Sequence, residues 1–565
     1  MKKINMFSAF LCLLFMPPAL YAAGENIIQD SPDMFRAMQD EMNRSVSQLQ
    51  MDSLQKPYFI SYTVSDSAGS YFSAEFGAIT SESVNYRSRR AKAEVRIGDK
   101  TFDSSLFVGN PYDEYEPVYG YIPVEGDYDS VRFSLWQLTD SAYKSALDSY
   151  AKKQAFVQSK NITELYDDLL PAEKVDADYG GRQADFDTEK ARHYVRGLSG
   201  IFKNYPQIKS SGVKIYHRNR RNYFLNSEGT RFAKNSCAGS LVFSASANAE
   251  DGHVLFASDS IEFCDASSEL PSYAELEKRI KSLAERLSAS VKSVTVNAYI
   301  GPVLFEKMAA GKFFENLFVN NVANPREIWK AESQWSPGYI YSRAGELDER
   351  IGMRVMPPFL NVYDDPSVKE YDGKYLSGSY GIDDEGVPAG RVGLVSRGIL
   401  KDYYRFRAAT RDFSSSNGHG RADVNENITG GPGNVFIEAD EKSPYAVPAS
   451  ELKAKLIELC REQEIEYGFI VRDLSGMQSR FNAVKVYADG HEEPAHSLVF
   501  TGTSLRALRD IVYVSKERNV YSLGWSPEAD LVHPDILVRE MEIKKSSQKP
   551  PKKTYLEHPY FSGKK

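Results

Sequence analysis

His491-Glu492-Glu493-Pro494-Ala495-His496 places two imidazoles and a carboxylate at the spacing His-Glu-x-x-x-His. Two histidines on one helix face can hold Zn²⁺, and the neighbouring glutamate can take a proton from metal-bound water, so this is the spelling of a hydrolytic zinc centre. Its setting argues otherwise. Residues 482–490 before it and 497–500 after it have the pattern of two strands around Asp489-Gly490. Pro494 opposes a helix, and residues five apart on a strand point to opposite faces. His491 and His496 are therefore expected in a solvated turn and its return strand, as a poor alternative for a metal site.

Two more polar groups invite chemistry. Asn417-Gly418-His419-Gly420 gives a backbone that can come close to a bound peptide, and Arg421 could clasp a carboxylate bidentately. Asn417, His419 and Arg421 are thus candidate peptide contacts, although a strained turn with exposed side chains explains the same composition. Asp383 and Asp384 look like paired catalytic acids, but neighbours on a strand face opposite ways, which suits a turn and its structural partner. Cys237 and Cys264 fall opposite each other if residues 231–249 and 252–264 form a hairpin about Glu250-Asp251-Gly252. A cross-strand disulfide is expected there, with two separate buried thiols as the alternative. Cys460 sits on an amphipathic helix and is expected to pack.

The elements that must position these groups are mixed. Helical spacing covers 32–54, 139–157, 187–204, 271–290 and 450–464. Strand patterns cover 58–65, 70–79, 83–97, the region 212–264 and 293–299, and the second half is β-rich. Residues 109–129, rich in Pro, Gly, Asp and Tyr, resemble a surface loop. The spacing predicts an α+β fold of two domains, an N-terminal α/β domain over 27–290 and a β-rich C-terminal domain over 293–542, with a flexible tail over 543–565. The 565 residues suffice for separate cores.

Lys2 and Lys3, an apolar run over 7–16 and Ala22-Ala23 before Gly24-Glu25 have the layout of a secretory signal peptide over 1–22. A secreted or periplasmic protein is expected, with no membrane insertion, because no apolar stretch reaches the ~20 residues a spanning helix needs. Loss of Lys2 and Lys3 takes the 69 basic residues to 67 against 77 acidic, a net charge of −10. Such a balance gives no electrostatic case for nucleic acid.

Gly301-Pro302-Val303-Leu304, followed by a small-residue helix and Phe313-Phe314-Glu315-Asn316-Leu317-Phe318-Val319, resembles the motif helix of the TldD/PmbA family, where the run ends Leu-His-Glu-x-x-x-His. Pro57-Tyr58-Phe59-Ile60-Ser61-Tyr62, Leu135-Trp136-Gln137-Leu138-Thr139-Asp140, Ile382-Asp383-Asp384-Glu385-Gly386-Val387-Pro388, Gly398-Ile399-Leu400-Lys401-Asp402-Tyr403 and Ser416-Asn417-Gly418-His419-Gly420-Arg421 are similar to further family blocks in the same order. The resemblance, to the long exported branch, implies the two-domain TldD/PmbA-like fold and a zinc metallopeptidase ancestry. It sets Phe314 and Val319 at the two histidine positions and Glu315 at the glutamate, and neither a phenyl nor an isopropyl group offers a donor. The metal-binding family Cys also has no counterpart after Cys460. The expectation is a protein with no cofactor and a degenerate motif. It would bind peptide or unfolded polypeptide as a homodimer, or as a heterodimer with a zinc-bearing paralogue in proteolysis. The alternative is an active zinc peptidase whose site departs from the motif, with Glu315 as general base. Glu315 as a plain polar residue on a packed helix is also open.

Overall fold

The computed structural model describes residues 28, 31–108, 118–323, 326, 328–330, 345–423, 427–440, 442–525 and 528–550. The expected signal peptide, residues 109–117 and the tail beyond 550 lie outside the described residues.

In the first domain, α1 (Pro32–Gln48) precedes β1 (Phe59–Glu75), β2 (Ala78–Arg96) and β3 (Val118–Ile122), then α2 (Tyr128–Lys160) and α3 (Thr188–Gly200). Next come β4 (Ile208–Asn226), β5 (Arg231–Asn248), β6 (Val254–Phe263) and α4 (Tyr273–Ala289). The sheet runs β3-β2-β1-β4-β5, with Asp176–Asp178 and β6 both paired to the far edge of β5. All four helices cover one face. Phe72, Val213, Ile215, Leu241 and Phe243 pack under α3 and α4, while Ile60, Tyr62, Val64, Tyr223 and Leu225 pack under α1 and α2. Alternation along the strands turns Lys92, Arg218, Arg220 and Lys234 to the other face, toward the second domain.

Several boundaries differ from expectation. The strands predicted at 58–65 and 70–79 are one strand, because the small residues Ser67, Ala68, Gly69 and Ser70 continue the pairing with β4. The loop predicted over 109–129 contains β3, and α2 begins at Tyr128, not Thr139. Asp127 caps it by accepting from the Ser130 amide, a signal hidden in the acidic stretch before it. In the β5–β6 hairpin Gly239 faces Phe263, which sets Cys264 against Ala238, one residue off the predicted register. Cys264 lies just past the ladder and is still joined to Cys237 by a disulfide, with 5.4 Å between Cα atoms. A loop of this size constrains the unfolded chain by roughly 3–4 kcal/mol.

The second domain is built on β7 (Ala298–Phe305), β8 (Leu360–Asp364), β9 (Val392–Ser396), β10 (Asn434–Ala439), β11 (Tyr467–Val471), β12 (Phe481–Tyr487), β13 (Glu492–Thr501), β14 (Ile511–Trp525) and β15 (Glu528–Lys545). Its 11-stranded sheet has the order β9-β8-β10-β15-β13-β12-β11-β7, and β7 also pairs with β15. The strands β15, β13, β12, β11 and β7 thereby close on one another. The strand predicted at 293–299 starts five residues later, and residues 301–305 belong to β7 rather than to the motif helix. β15 continues to Lys545, into the segment expected to be tail. Two helices, α5 (Met308–Phe314) and α6 (Ala449–Glu462), pack on this sheet. Among the described residues no helix is long and apolar enough to cross a membrane.

Candidate functional site

The motif segment is set up by its backbone. β7 ends at Phe305, Lys307 turns the chain with φ 47°, and α5 starts one residue later. Glu315–Val319 then form a π-helical turn in which the Asn320 amide donates to the Glu315 carbonyl, five residues back. An α-helix rotates about 100° per residue, so positions 314 and 319 would stand roughly 140° apart on it. The wider i→i+5 turn brings them toward one side. The segment thus has a backbone suited to two side chains five residues apart sharing a target, and fills both positions with hydrocarbon. Phe314 and Val319 are 0% and 2% exposed. A zinc ion finds no donors from these two side chains.

Glu315 is held. Its Oε2 accepts from Tyr521 Oη at 2.6 Å, and Lys312 Nζ reaches both carboxylate oxygens at 2.8 and 3.0 Å. Burial, with Glu315 adding to it, pushes the Tyr521 phenol far above its ordinary value. Tyr521 can come so close because Gly311 lies beneath its ring. Beside Phe314 and Tyr521, with ring centroids 6.3 Å from each, stands His533. Its Nδ1 donates to the Pro534 carbonyl at 3.0 Å, its buried Nε2 has no hydrogen-bond partner among the described residues, and burial lowers it to about 4, so it is neutral. Sequence reasoning missed His533 because it sits singly in an apolar strand, over two hundred residues from the motif.

The motif helix forms one wall of a cleft of about 360 Å³ between the domains. Lys312 and Tyr521 line one side, Asp473 and Asn482 the end, and β6 the other side through Val254 and Phe256. β6 is an edge strand. Leu255 and Ala257 point into the helical layer, which leaves Val254 and Phe256 facing the cleft, 41% and 49% exposed. Asn482 Nδ2 donates to the Phe256 carbonyl at 3.3 Å across this gap. Burial lifts the Asp473 carboxyl to about 6, with Arg286 opposing and Asp259 adding to the rise.

The other candidates are placed elsewhere. His419 is fully buried against Tyr380 and Tyr404, its Nε2 3.4 Å from Asp364, so it is not the exposed or peptide-facing ring that the glycines suggested. Gly418 and Gly420 serve close backbone packing instead: a Cβ on Gly418 would lie 2.2 Å from the Pro388 carbonyl. Asn417 is spent on the backbone of Arg405 and Tyr403. Arg421 is buried, stacks 4.0 Å over Tyr380 and donates to the Glu528 carbonyl. Asp383 and Asp384 diverge: Asp383 accepts from the amides of Glu385, Val387 and Gly420, while Asp384 meets Lys234 at 2.7 Å across the domain boundary. His491 is exposed at the β12–β13 turn and His496 is buried five residues along β13. His496 instead meets Asp251 and His253 of the first domain, a group of donors that the sequence separates by over two hundred residues.

Residues 299–545 match the PmbA/TldA metallopeptidase C-terminal domain. The fold is similar to that of TldE from Thermococcus kodakarensis, with TM-score 0.59 and 14% identity over 90% of this chain and 99% of that one. It is also similar to a candidate modulator of DNA gyrase from Thermotoga maritima, with TM-score 0.56 and 15% identity over 86% and 96% of the two chains. A counterpart from Bacteroides thetaiotaomicron gives TM-score 0.55 and 11% identity over 91% and 99%. No curated protein matches the sequence.

Proposed function

The chain is a TldD/PmbA-family protein of metallopeptidase type, and from that premise we propose that it is an exported, non-catalytic member that binds extended polypeptide in the cleft between its domains. The observation that carries this reading is the hydrocarbon filling of the motif: Phe314 and Val319 occupy the ligand positions, and Glu315 is tied to Lys312 and Tyr521. A water activated by metal and glutamate has nothing to stand on there. Peptide capture is supported by β6, whose edge and apolar face border the cleft; strand addition would supply affinity through backbone bonds and selectivity through the pocket beside Phe256. A paralogue carrying the zinc motif would provide hydrolysis, with this chain as the partner that holds substrate.

The test is binding of an unstructured fluorescent peptide to the full chain, alongside a hydrolysis assay. Phe256→Asp should weaken binding about 10-fold or more, while Glu315→Gln leaves affinity unchanged and no cleavage occurs in either. Cleavage by the wild type that falls about 10² to 10⁴-fold in Glu315→Gln would instead identify Glu315 as a general base and make the chain a peptidase.

A further inference from the structure

Asp251 and His253 stand at the tip of the β5–β6 hairpin, and His496 on β13 of the other domain comes to meet them. Asp251 Oδ2 lies 2.9 Å from His253 Nδ1 and 3.0 Å from His496 Nε2, and the three donor atoms all fall within 4.8 Å of one another. Both rings are buried, 3% and 2% exposed, while the carboxylate is 39% exposed, so the group has a face open to solvent.

The outer partners decide what this group is suited to hold. His253 Nε2 faces the Gln548 carbonyl at 3.2 Å, which can only accept, so that nitrogen carries the hydrogen. A neutral imidazole then turns a lone pair at Nδ1 toward a carboxylate oxygen, and two acceptors 2.9 Å apart require a cation between them. His496 Nδ1 meets Ser293 Oγ at 2.9 Å, which fixes the ring and lets Nε2 face the same oxygen. Ring nitrogens directed inward, with a carbonyl and a hydroxyl behind them, are the outer-shell arrangement of metal-binding histidines.

We propose that Asp251 Oδ2, His253 Nδ1 and His496 Nε2 bind a divalent zinc-type ion, with water at the remaining position, and that this ion fastens the hairpin of the first domain to β13 of the second. Two imidazoles and one carboxylate are donors zinc takes at about 2.0–2.2 Å, which asks for donors roughly 3.3 Å apart, a spacing reached from the present one by small side-chain rotations. The site shares no residue with the motif helix and stands whether or not the chain is a peptidase.

The experiment is titration of the chelator-treated full chain with Zn²⁺ by calorimetry, and with Co²⁺ by visible absorption. The wild type should take up one equivalent and show the absorption of a low-coordinate Co²⁺ with nitrogen and oxygen donors. His253→Gln and His496→Gln should each weaken uptake by more than about 100-fold, and Ser293→Ala, which leaves every donor in place, by about 10-fold. A wild type that takes up no zinc overturns the proposal, a result no misfolded variant can mimic. So does zinc that stays in both histidine variants and leaves in His533→Ala, which would put the ion at the motif helix. A metal-free wild type whose melting temperature tracks histidine protonation, with no zinc uptake, would show that the cation between these groups is a proton.

Discussion

A single carboxyl reports how tightly the second domain is wound around its charges. Glu385 accepts from the Arg407 amide and lies beside Asp383 at the Gly420 turn. Burial pushes it up to about 7, with Asp383 adding to the rise. Its folded pKa exceeds the ordinary value of about 4.3, so this contribution to stability is full below that pH and is lost as pH rises toward 7. Glu385→Gln should therefore gain roughly 2 kcal/mol over the wild type at pH 8 and little at pH 4, measured by urea unfolding. Asp384 behaves oppositely. Burial opposes its ionisation, but Lys234 and Arg421 outweigh that and bring it down to about 2, so its contribution holds above about pH 3.9 and fades as the solution is acidified further.

At the scale of elements, α5 and β14 approach so closely that only glycine fits between them. A Cβ on Gly311 would sit 2.5 Å from Tyr521 Cγ. Gly311→Ala is expected to cost about 1–3 kcal/mol by overpacking and to pull the Tyr521 hydroxyl from Glu315, detectable as a lower melting temperature. A gain in stability would show that the ring is free to move. Such contacts explain what could be read in the sequence. Helices α3, α4 and α6 were legible from periodicity, whereas the Ser272–Glu275 capping box of α4 emerged only in the structure; the hydrocarbon side chains at Phe314 and Val319 were visible as letters. The π turn that joins those positions was not, because it depends on packing around Leu317, Phe318 and Val319. Nor were the burial of His419 and the meeting of Asp251, His253 and His496, which depend on how two domains face each other.

For the whole molecule, the domains are held by charge as well as by shape. Arg218 of β4 meets Glu528 Oε1 at 2.6 Å, Arg220 lies 3.9 Å from the same oxygen, and Arg421 donates to the Glu528 carbonyl. Burial would raise the Glu528 carboxyl, yet Arg220, Arg218 and Arg421 together hold it below the ordinary range. Removing one member of such a buried set strands the others, so Glu528→Ala should cost roughly 3–5 kcal/mol. Calorimetry should show the loss as an early transition in which the domains part, and an unchanged single transition would refute the role given to this contact. The strand that begins with Glu528 has a further consequence, in time rather than in space. β15 joins β10, β13, β14 and β7, so a chain that emerges from its amino end can complete the first sheet while the second still lacks its central member. Through that interval β7, β10, β13 and β14 wait with open edges, the species most prone to wrong pairing. Delivery of residues 528–545 is then the committing event in assembling the second domain, and whatever shields those edges beforehand governs the yield of native protein.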